Sequence, residues 1–543
     1  MSGGTNGPAG TRHDEVDVLI VGAGPTGLFT ACELLRRGVG VRLIDRADAP
    51  ATVPKALALW PRALDLLTDL GIGDAVRDAA LPITGFSYFS GGEPLASFTV
   101  PEPLRPLHLP QTETERLLTE RLLALGGKVE YGTRLLALDD VDFRGPIDAT
   151  DGVTAVLECG EAGVRRVRAS FVVGADGAAS TVRGALGIGF EGSTYPLSFA
   201  LIDTEVDGPL PAGELLYYQR PSGTLMIAPQ SRDVFRILAV LPYDGRGPEP
   251  RVSVPMMQEL LDERGPGGVT ITRPHWQTVY RVHARTATEY QRGRVFLAGD
   301  SAHVHSPAGG QGMNNGLQDG YQLAWKTAAV LRGDSPASLL DDYTSERVEA
   351  TNRIVADTAA QTRAWMADSR FRITVRDTAF RAAARSGAVP GLVFPAMAGR
   401  RVGYTARRRT QLPSGSPRCR VLGRLPGRLR AGMVFPREPA VSYGISSAES
   451  PAGWTVAVQP GSPYSHLPRL VARVAADWPQ VRCVTLRPQD TVRATGCADA
   501  GFYLIRPDGH IAAHGHERDL THLAAELALV LHPQGGGTAA TAV

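Results

Sequence analysis

A chain of 543 residues, 43% apolar and 21% charged, is too long for one hydrophobic core and long enough for two or three domains. Its 57 basic and 55 acidic residues nearly cancel, leaving a net charge of +2 that argues against nucleic acid as a partner. The five scattered cysteines (Cys32, Cys159, Cys419, Cys483, Cys497) suit neither a disulfide framework nor a zinc site, and no apolar run reaches membrane-spanning length, so the expected setting is a reducing cytoplasm without a membrane partner.

Residues 1–13 are small and polar and read as a disordered tail. Residues 16–21 are a continuous apolar run, a buried strand, after which Gly22-Ala23-Gly24-Pro25-Thr26-Gly27 opens a helix with Leu28, Ala31, Cys32 and Leu35 at helical spacing. Gly38 stops that helix, and residues 39–44 make a second strand ending in Asp45. The unit is β-α-β, and a doubly wound parallel sheet follows from it. Helices are expected after Pro61, through Leu64, Leu67 and Leu70, and over residues 113–125 behind Gln111, leading to a strand near Val129. A short strand at 171–173 runs into Gly174-Ala175-Asp176-Gly177.

From about 195 to 280 the texture changes to β-type runs at 199–206, 214–219, 224–228 and 234–241, an inserted antiparallel sheet. The first pattern resumes at 295–298 with a Gly-rich loop and a helix carrying Leu317, Tyr321, Ala324, Ala328 and Leu331, then a long helix over about 341–367. Residues 400–430, rich in Arg, Pro and Gly, read as a linker or packed extension. The last segment holds strands at 454–458 and 481–486, a helix through Leu467, Leu470, Val471 and Val474, a hairpin over 502–512 turning at Pro507-Asp508-Gly509, and a helix over 520–531. It reads as a small separate α/β domain.

At the first turn each glycine has a physical task. Gly22 permits the sharp turn, Gly24 lets a pyrophosphate approach the backbone, and Gly27 lets the helix pack on the strand. The helix start supplies free N–H groups and partial positive charge, and Asp45 falls near the roughly 20-residue spacing of an acid that binds a ribose 2′-OH. This pattern specifies an ADP moiety and does not separate FAD from NAD. His303-x-His305 invites a metal reading, but no third ligand has matching spacing, so a structural role or one beside a cofactor is favoured.

The later motifs are more specific. Gly299-Asp300, followed by Ser301 to Pro307 and then Ala308-Gly309-Gly310-Gln311-Gly312-Met313-Asn314-Asn315, resembles the Gly-Asp motif of the group A flavoprotein monooxygenases, which have the para-hydroxybenzoate hydroxylase fold. Gly174-Ala175-Asp176-Gly177-Ala178-Ala179-Ser180-Thr181-Val182-Arg183 matches the middle motif of that family, whose acid serves both FAD and the nicotinamide cofactor. The sequence departs from the family where Asn315 stands for a frequent Thr, where Gly320-Tyr321 replaces Ala-Asn, and where Lys55 falls near a frequent Arg.

The resemblance implies FAD held by Gly22, Gly24, Pro25, Thr26, Gly27, Asp45 and Arg46 at its ADP end, by Gln111, Leu135 and Asp176, and by Asp300, Pro307, Gly310, Gly312, Met313 and Asn314 around the flavin. It places the backbone of Pro307 and Gly312 at the reacting edge, and no side chain declares itself as a base. Tyr217, Tyr218 and Met226 on the inserted sheet are the substrate candidates, although strand alternation sends the two tyrosines to opposite faces. The last domain resembles the thioredoxin-like extension of phenol hydroxylase and of polyketide-tailoring hydroxylases, without a Cys-x-x-Cys.

The implied fold class is α/β: a doubly wound FAD-binding domain (14–75, 105–190, 281–400) interrupted by an antiparallel-sheet substrate domain (76–104, 191–280), a linker (401–421) and a thioredoxin-like domain (422–535). The implied reaction is hydroxylation of a small aromatic substrate, polycyclic or polyketide-derived, with NADPH or NADH and O2 through a flavin C4a-hydroperoxide. Baeyer-Villiger oxygen insertion is the second reading, and a catalytically silent FAD-binding or partner-binding protein is the alternative of another class. The chain is expected to be a monomer or homodimer.

Overall fold

In the computed structural model the described residues are 14–141, 145–243, 251–365, 369–387, 389–400, 403–404, 429, 431–487 and 500–533. The N-terminal tail and nearly all of the expected 401–421 linker lie outside them.

The strand Asp14–Val21 sits in the middle of the first sheet because its second half is apolar on both faces, and Val18 to Ile20 are fully buried. It pairs in parallel with Val41–Ile44 on one side and Val164–Gly174 on the other, and Val129–Glu130 and Val295–Leu297 continue the parallel order outward. Helices Pro25–Leu35 and Gly312–Leu331 pack on this sheet and on each other. The strand expected at 171–173 is longer, Val164–Gly174, because its exposed first half pairs antiparallel with Val153–Cys159. The chain is α/β, and the carboxyl ends of the parallel strands point at the three turns singled out from sequence.

The second sheet has eight strands in the order His303–Val304, Thr270–Ala287, Phe190–Asp207, Val234–Pro242, Gly223–Pro229, Glu214–Arg220, Gly85–Ser90 and Glu93–Thr99. All pairs are antiparallel except Glu214–Arg220 with Gly85–Ser90. Its first strand begins three residues after Asp300, so the sheet is joined directly to the Gly-Asp turn. Helix Val254–Arg264 covers the outer face, inside the stretch whose texture reads as β. Ser253 caps it by accepting from the Met256 N–H, and Met257 and Leu261 are fully buried.

After helices Asp342–Trp365 and Arg370–Ser386, the C-terminal unit is a four-stranded sheet in the order Arg482–Thr485, Thr455–Gln459, Gly501–Ile505, Ile511–Gly515. The first pair is parallel and the others antiparallel, with helices Leu467–Ala475 and Leu520–Val530 packed together. Its core is continuous with that of the first sheet, and Trp325 meets Trp454 edge-on at 5.9 Å.

Candidate active site

The three turns share one cavity of about 1180 Å³, above the usual range of roughly 300–1,000 Å³ for ligand sites. At its first end the three glycines differ in what surrounds them. Gly22 has φ +105°, and a Cβ there would meet the Ala175 carbonyl oxygen at 2.4 Å. A Cβ on Gly27 would lie 1.8 Å from the Gly22 carbonyl oxygen, so Gly27 is the packing contact and does not line the cavity. Gly24 has nothing within 4 Å of its Cβ position and faces open space. The first intrahelical bond is Leu28 N–H to Gly24 O, which leaves the N–H groups of Thr26 and Gly27 free at the helix start. Asp45 is oriented by the Ala23 N–H (2.7 Å) and the Ala47 N–H (2.8 Å), while Arg46 and Leu135 line the same end.

Gln111 lines the cavity and also holds its wall. Its Oε1 accepts from the Ala56 N–H at 2.9 Å and its Nε2 donates to Glu115 at 2.8 Å. Glu115, which the sequence reading missed, faces the cavity with its pKa raised by burial.

Asp176 is fully engaged. Its oxygens accept from the Ser180 hydroxyl (2.5 Å), the Ser301 hydroxyl (3.0 Å) and the N–H groups of Thr181 (2.6 Å) and Val182 (3.2 Å). It caps helix Thr181–Ala185 and clamps the middle motif to the Gly-Asp turn. Asp300 is the opposite case: it projects into the cavity, and its carboxylate makes no hydrogen bond to the described residues. The enclosed position raises its pKa, with His303 and Lys55 opposing and Asp319 adding to the rise. Behind the turn, the fully buried Asp319 carboxylate accepts from the Gly299 N–H (2.8 Å), His303 Nε2 (2.7 Å) and Arg347 Nε, which fixes the backbone that carries Asp300.

The Gly-rich loop turns through Gly309 at φ +77° into helix Gly312–Leu331, which has no side-chain N-cap. Its first intrahelical bond is Asn315 N–H to Gln311 O, so the N–H groups of Gly312, Met313 and Asn314 have no intrahelical partner, and the first two residues face the cavity. Pro307, Gly310, Gly312 and Met313 line it. The Asn314 side chain does not. Its Oδ1 accepts from the Trp60 N–H at 2.7 Å and its Nδ2 donates to Ala58 O and Gly310 O, so only its backbone can serve a ligand. His305 Nδ1 faces the Ser306 carbonyl at 3.0 Å, while its buried Nε2 has no partner among the described residues; burial pushes the imidazole down to about 4. Among the described residues no group of three or more His, Cys, Asp or Glu could hold a metal ion, and no helix is long and apolar enough to cross a membrane.

At the far end the wall is aromatic: Trp60, Phe86, Tyr217, Trp276, Tyr280 and Trp365, with Met226, Leu201 and Leu238 between them. Tyr217 stacks on Tyr88 at 4.8 Å and 8°. Tyr218 must be withdrawn as a substrate residue, because it points to the other face of the sheet, stacks on Phe89 at 4.5 Å and packs in the core beneath helix Val254–Arg264. Arg236, also missed from sequence, is paired twice with buried Asp203 at 2.8 Å and donates to the Lys55 and Pro54 carbonyls. It ties the 46–57 loop to the sheet and leaves no net charge in the wall. The signal for Trp60 is its place just before Pro61; Trp365 and Arg236 have none.

The free donors at two helix starts, the open face of Gly24 and the unpartnered Asp300 fit an extended dinucleotide lying from Asp45 to Pro307. Residues 15–358 match the family model described as an FAD binding domain. The chain is 34% identical to a 6-methylpretetramide 4-monooxygenase from Streptomyces rimosus, over 96% of this chain and 95% of that one. Among solved structures it is similar to an anhydrotetracycline hydroxylase from Streptomyces rimosus (TM-score 0.73, 28% identity, 96% and 99% of the two chains). It is also similar to an aklavinone-11 hydroxylase in complex with FAD and aklavinone (TM-score 0.75, 26% identity, 96% and 100%).

Proposed function

Because the chain belongs to the FAD binding domain family and is a flavin-dependent monooxygenase of the group A type, we propose that it hydroxylates a polycyclic, electron-rich aromatic substrate of polyketide type, with NADPH or NADH as reductant. The observation that carries this reading is the single cavity that joins the three dinucleotide turns to an uncharged aromatic wall. Bound FAD supplies electron transfer from the nicotinamide and activation of O2.

The residues of the chain do the rest. Gly22, Gly24 and the N–H group of Thr26 would hold the pyrophosphate, Asp45 the adenosine ribose, and Asp300 the ribityl region. The free N–H groups of Gly312, Met313 and Asn314 favour negative charge on the reduced flavin, where a helix start is worth most in a water-poor site. Tyr217, Trp365 and Met226 orient a flat ring and keep water from it. Arg236, the cation set among these aromatic rings, is already neutralised by Asp203 and so is not free to hold a substrate carboxylate.

Arg281, His283 and Arg285 alternate along one strand, and Thr194 Oγ1 bonds both His283 and Arg285, so the row shares a face. Arg281 and His283 line the cavity, and neither arginine pairs with a carboxylate among the described residues. This row suits the phosphates of the nicotinamide dinucleotide.

The test is turnover. The purified yellow protein should oxidise NADPH faster when a polycyclic phenol is added and yield a product one oxygen heavier that retains its carbonyl pattern. A product with a ketone converted to an ester would support Baeyer-Villiger insertion instead, and a flavin that no nicotinamide reduces would support a silent binding protein.

A further inference from the structure

The C-terminal hairpin ends in Arg506-Pro507-Asp508-Gly509, and this polar tip is buried against the flavin-bearing part of the molecule, not in solvent. Asp508 is 4% exposed. Tyr321 OH donates to the Pro507 carbonyl at 3.1 Å and Trp325 Nε1 to Asp508 Oδ2 at 3.2 Å, and both come from helix Gly312–Leu331, whose first turn faces the cavity. Arg506 bridges Asp508 and Glu346 with two contacts to each. Such a concentration of buried charge is costly unless every member is paired, and it fixes one geometry when they are.

One strand of this network reaches the flavin loop in two steps. Arg62 Nη2 donates to the Asp508 backbone carbonyl at 2.5 Å. Arg62 lies in the first turn of helix Pro61–Asp69, whose N-cap is Trp60. The Trp60 N–H donates to Asn314 Oδ1 at 2.7 Å and its Nε1 to the Gly309 carbonyl at 2.8 Å. Arg62, Trp60 and Asn314 are all at least nine-tenths buried. Arg437 ties the same helix to the C-terminal unit a second time, through Asp69 at 2.7 Å.

We propose that Arg62 is a positioning residue through which the C-terminal unit sets the Gly309–Asn314 loop and so the seat of the flavin. The unit then acts on the reaction without a residue in the cavity, since none of 506–510 lines it.

The test uses the full chain with Arg62→Met, Arg62→Lys, Trp325→Phe and Tyr321→Phe. FAD affinity is read by flavin fluorescence on titrating the apoprotein, and the fraction of NADPH oxidation released as peroxide is read at saturating FAD. Loss of one hydrogen bond to a charged group should weaken FAD binding about tenfold in Arg62→Met and raise the peroxide fraction, with Arg62→Lys within about threefold of the parent. Should Arg62→Met not fold, Trp325→Phe and Tyr321→Phe each remove a single bond to the tip and should give changes of about threefold in the same direction. Parental FAD affinity and peroxide fraction in folded variants, whatever their melting temperature, would overturn the proposal and leave the tip a domain fastening alone.

Discussion

Gly24→Ala separates the needs of the fold from those of the ligand. The added Cβ meets no atom within 4 Å, and the residue sits at φ −72° and ψ −177°, which alanine adopts freely. Removing glycine's freedom in the unfolded chain stabilises by about 0.4–1 kcal/mol, and alanine at an N-cap position loses about as much, so the apoprotein should keep its stability within about 1 kcal/mol. The methyl group nevertheless occupies the open face beside the free N–H group of Thr26. Displacing a pyrophosphate there loses at least one hydrogen bond to a charged group, about 1.5–3 kcal/mol, so FAD should bind about 10- to 100-fold more weakly. Gly27→Ala is the contrasting control, because its Cβ would lie 1.8 Å from the Gly22 carbonyl oxygen and must damage fold and binding together. Urea unfolding of the apoproteins and fluorescence titration with FAD measure the two effects. Parental FAD affinity in Gly24→Ala would refute the assignment of this face to the pyrophosphate.

Asp300→Asn should stabilise the apoprotein at neutral pH while weakening FAD. The enclosing walls of the cavity raise its carboxyl although the side chain is open to the cavity itself, the native state therefore holds the proton longer than the unfolded chain, and stability falls as pH rises from the unfolded value through the raised one. Denaturant unfolding of apo forms beside FAD titration checks both signs. His108 and His305 are held neutral by burial, each near 4, so stability is present above about pH 6.5 and is lost as pH falls toward 4, by up to about 3 kcal/mol per imidazole. His108→Gln should flatten that acid limb in a pH series of unfolding curves. Tyr217→Ala should raise the substrate KM while Tyr218→Ala lowers stability by about 3–5 kcal/mol with KM unchanged, and the reverse pattern would invert the assignment of the two sheet faces. Arg281→Ala with Arg285→Ala should raise KM for NADPH about tenfold or more and leave the FAD dissociation constant as it is.

What could be read before any coordinates was whatever is local in the chain. The β-α-β unit announces itself because Gly22, Gly24 and Gly27 lie within six residues and Asp45 ends the next strand, and the Gly-Asp turn and Gly-rich loop are equally short-range. The sense of alternation at Tyr217 and Tyr218 was legible too, though which face met the cavity depended on helix Val254–Arg264 covering the other. Long-range pairing was not legible: Gly85–Ser90 joins the second sheet by parallel pairing with residues 129 positions later, such as Glu214. The wall draws on Trp60, Arg236, Trp276 and Trp365 from separate elements, and no periodicity links them. Asn314 shows a further limit. Its place in a flavin-contacting motif suggests a ligand contact, yet its amide is used up by Trp60, Ala58 and Gly310, which only tertiary packing reveals.

The central claim is that this cavity passes one atom of dioxygen to an aromatic substrate. The direct measurement is a turnover with NADPH, a polycyclic phenol and 18O2, followed by mass spectrometry of the product and assay of peroxide. Incorporation of one 18O atom into the ring, with little peroxide, is the predicted result. Unlabelled aromatic compound with all reducing equivalents recovered as peroxide, across substrates that bind the cavity, would contradict it.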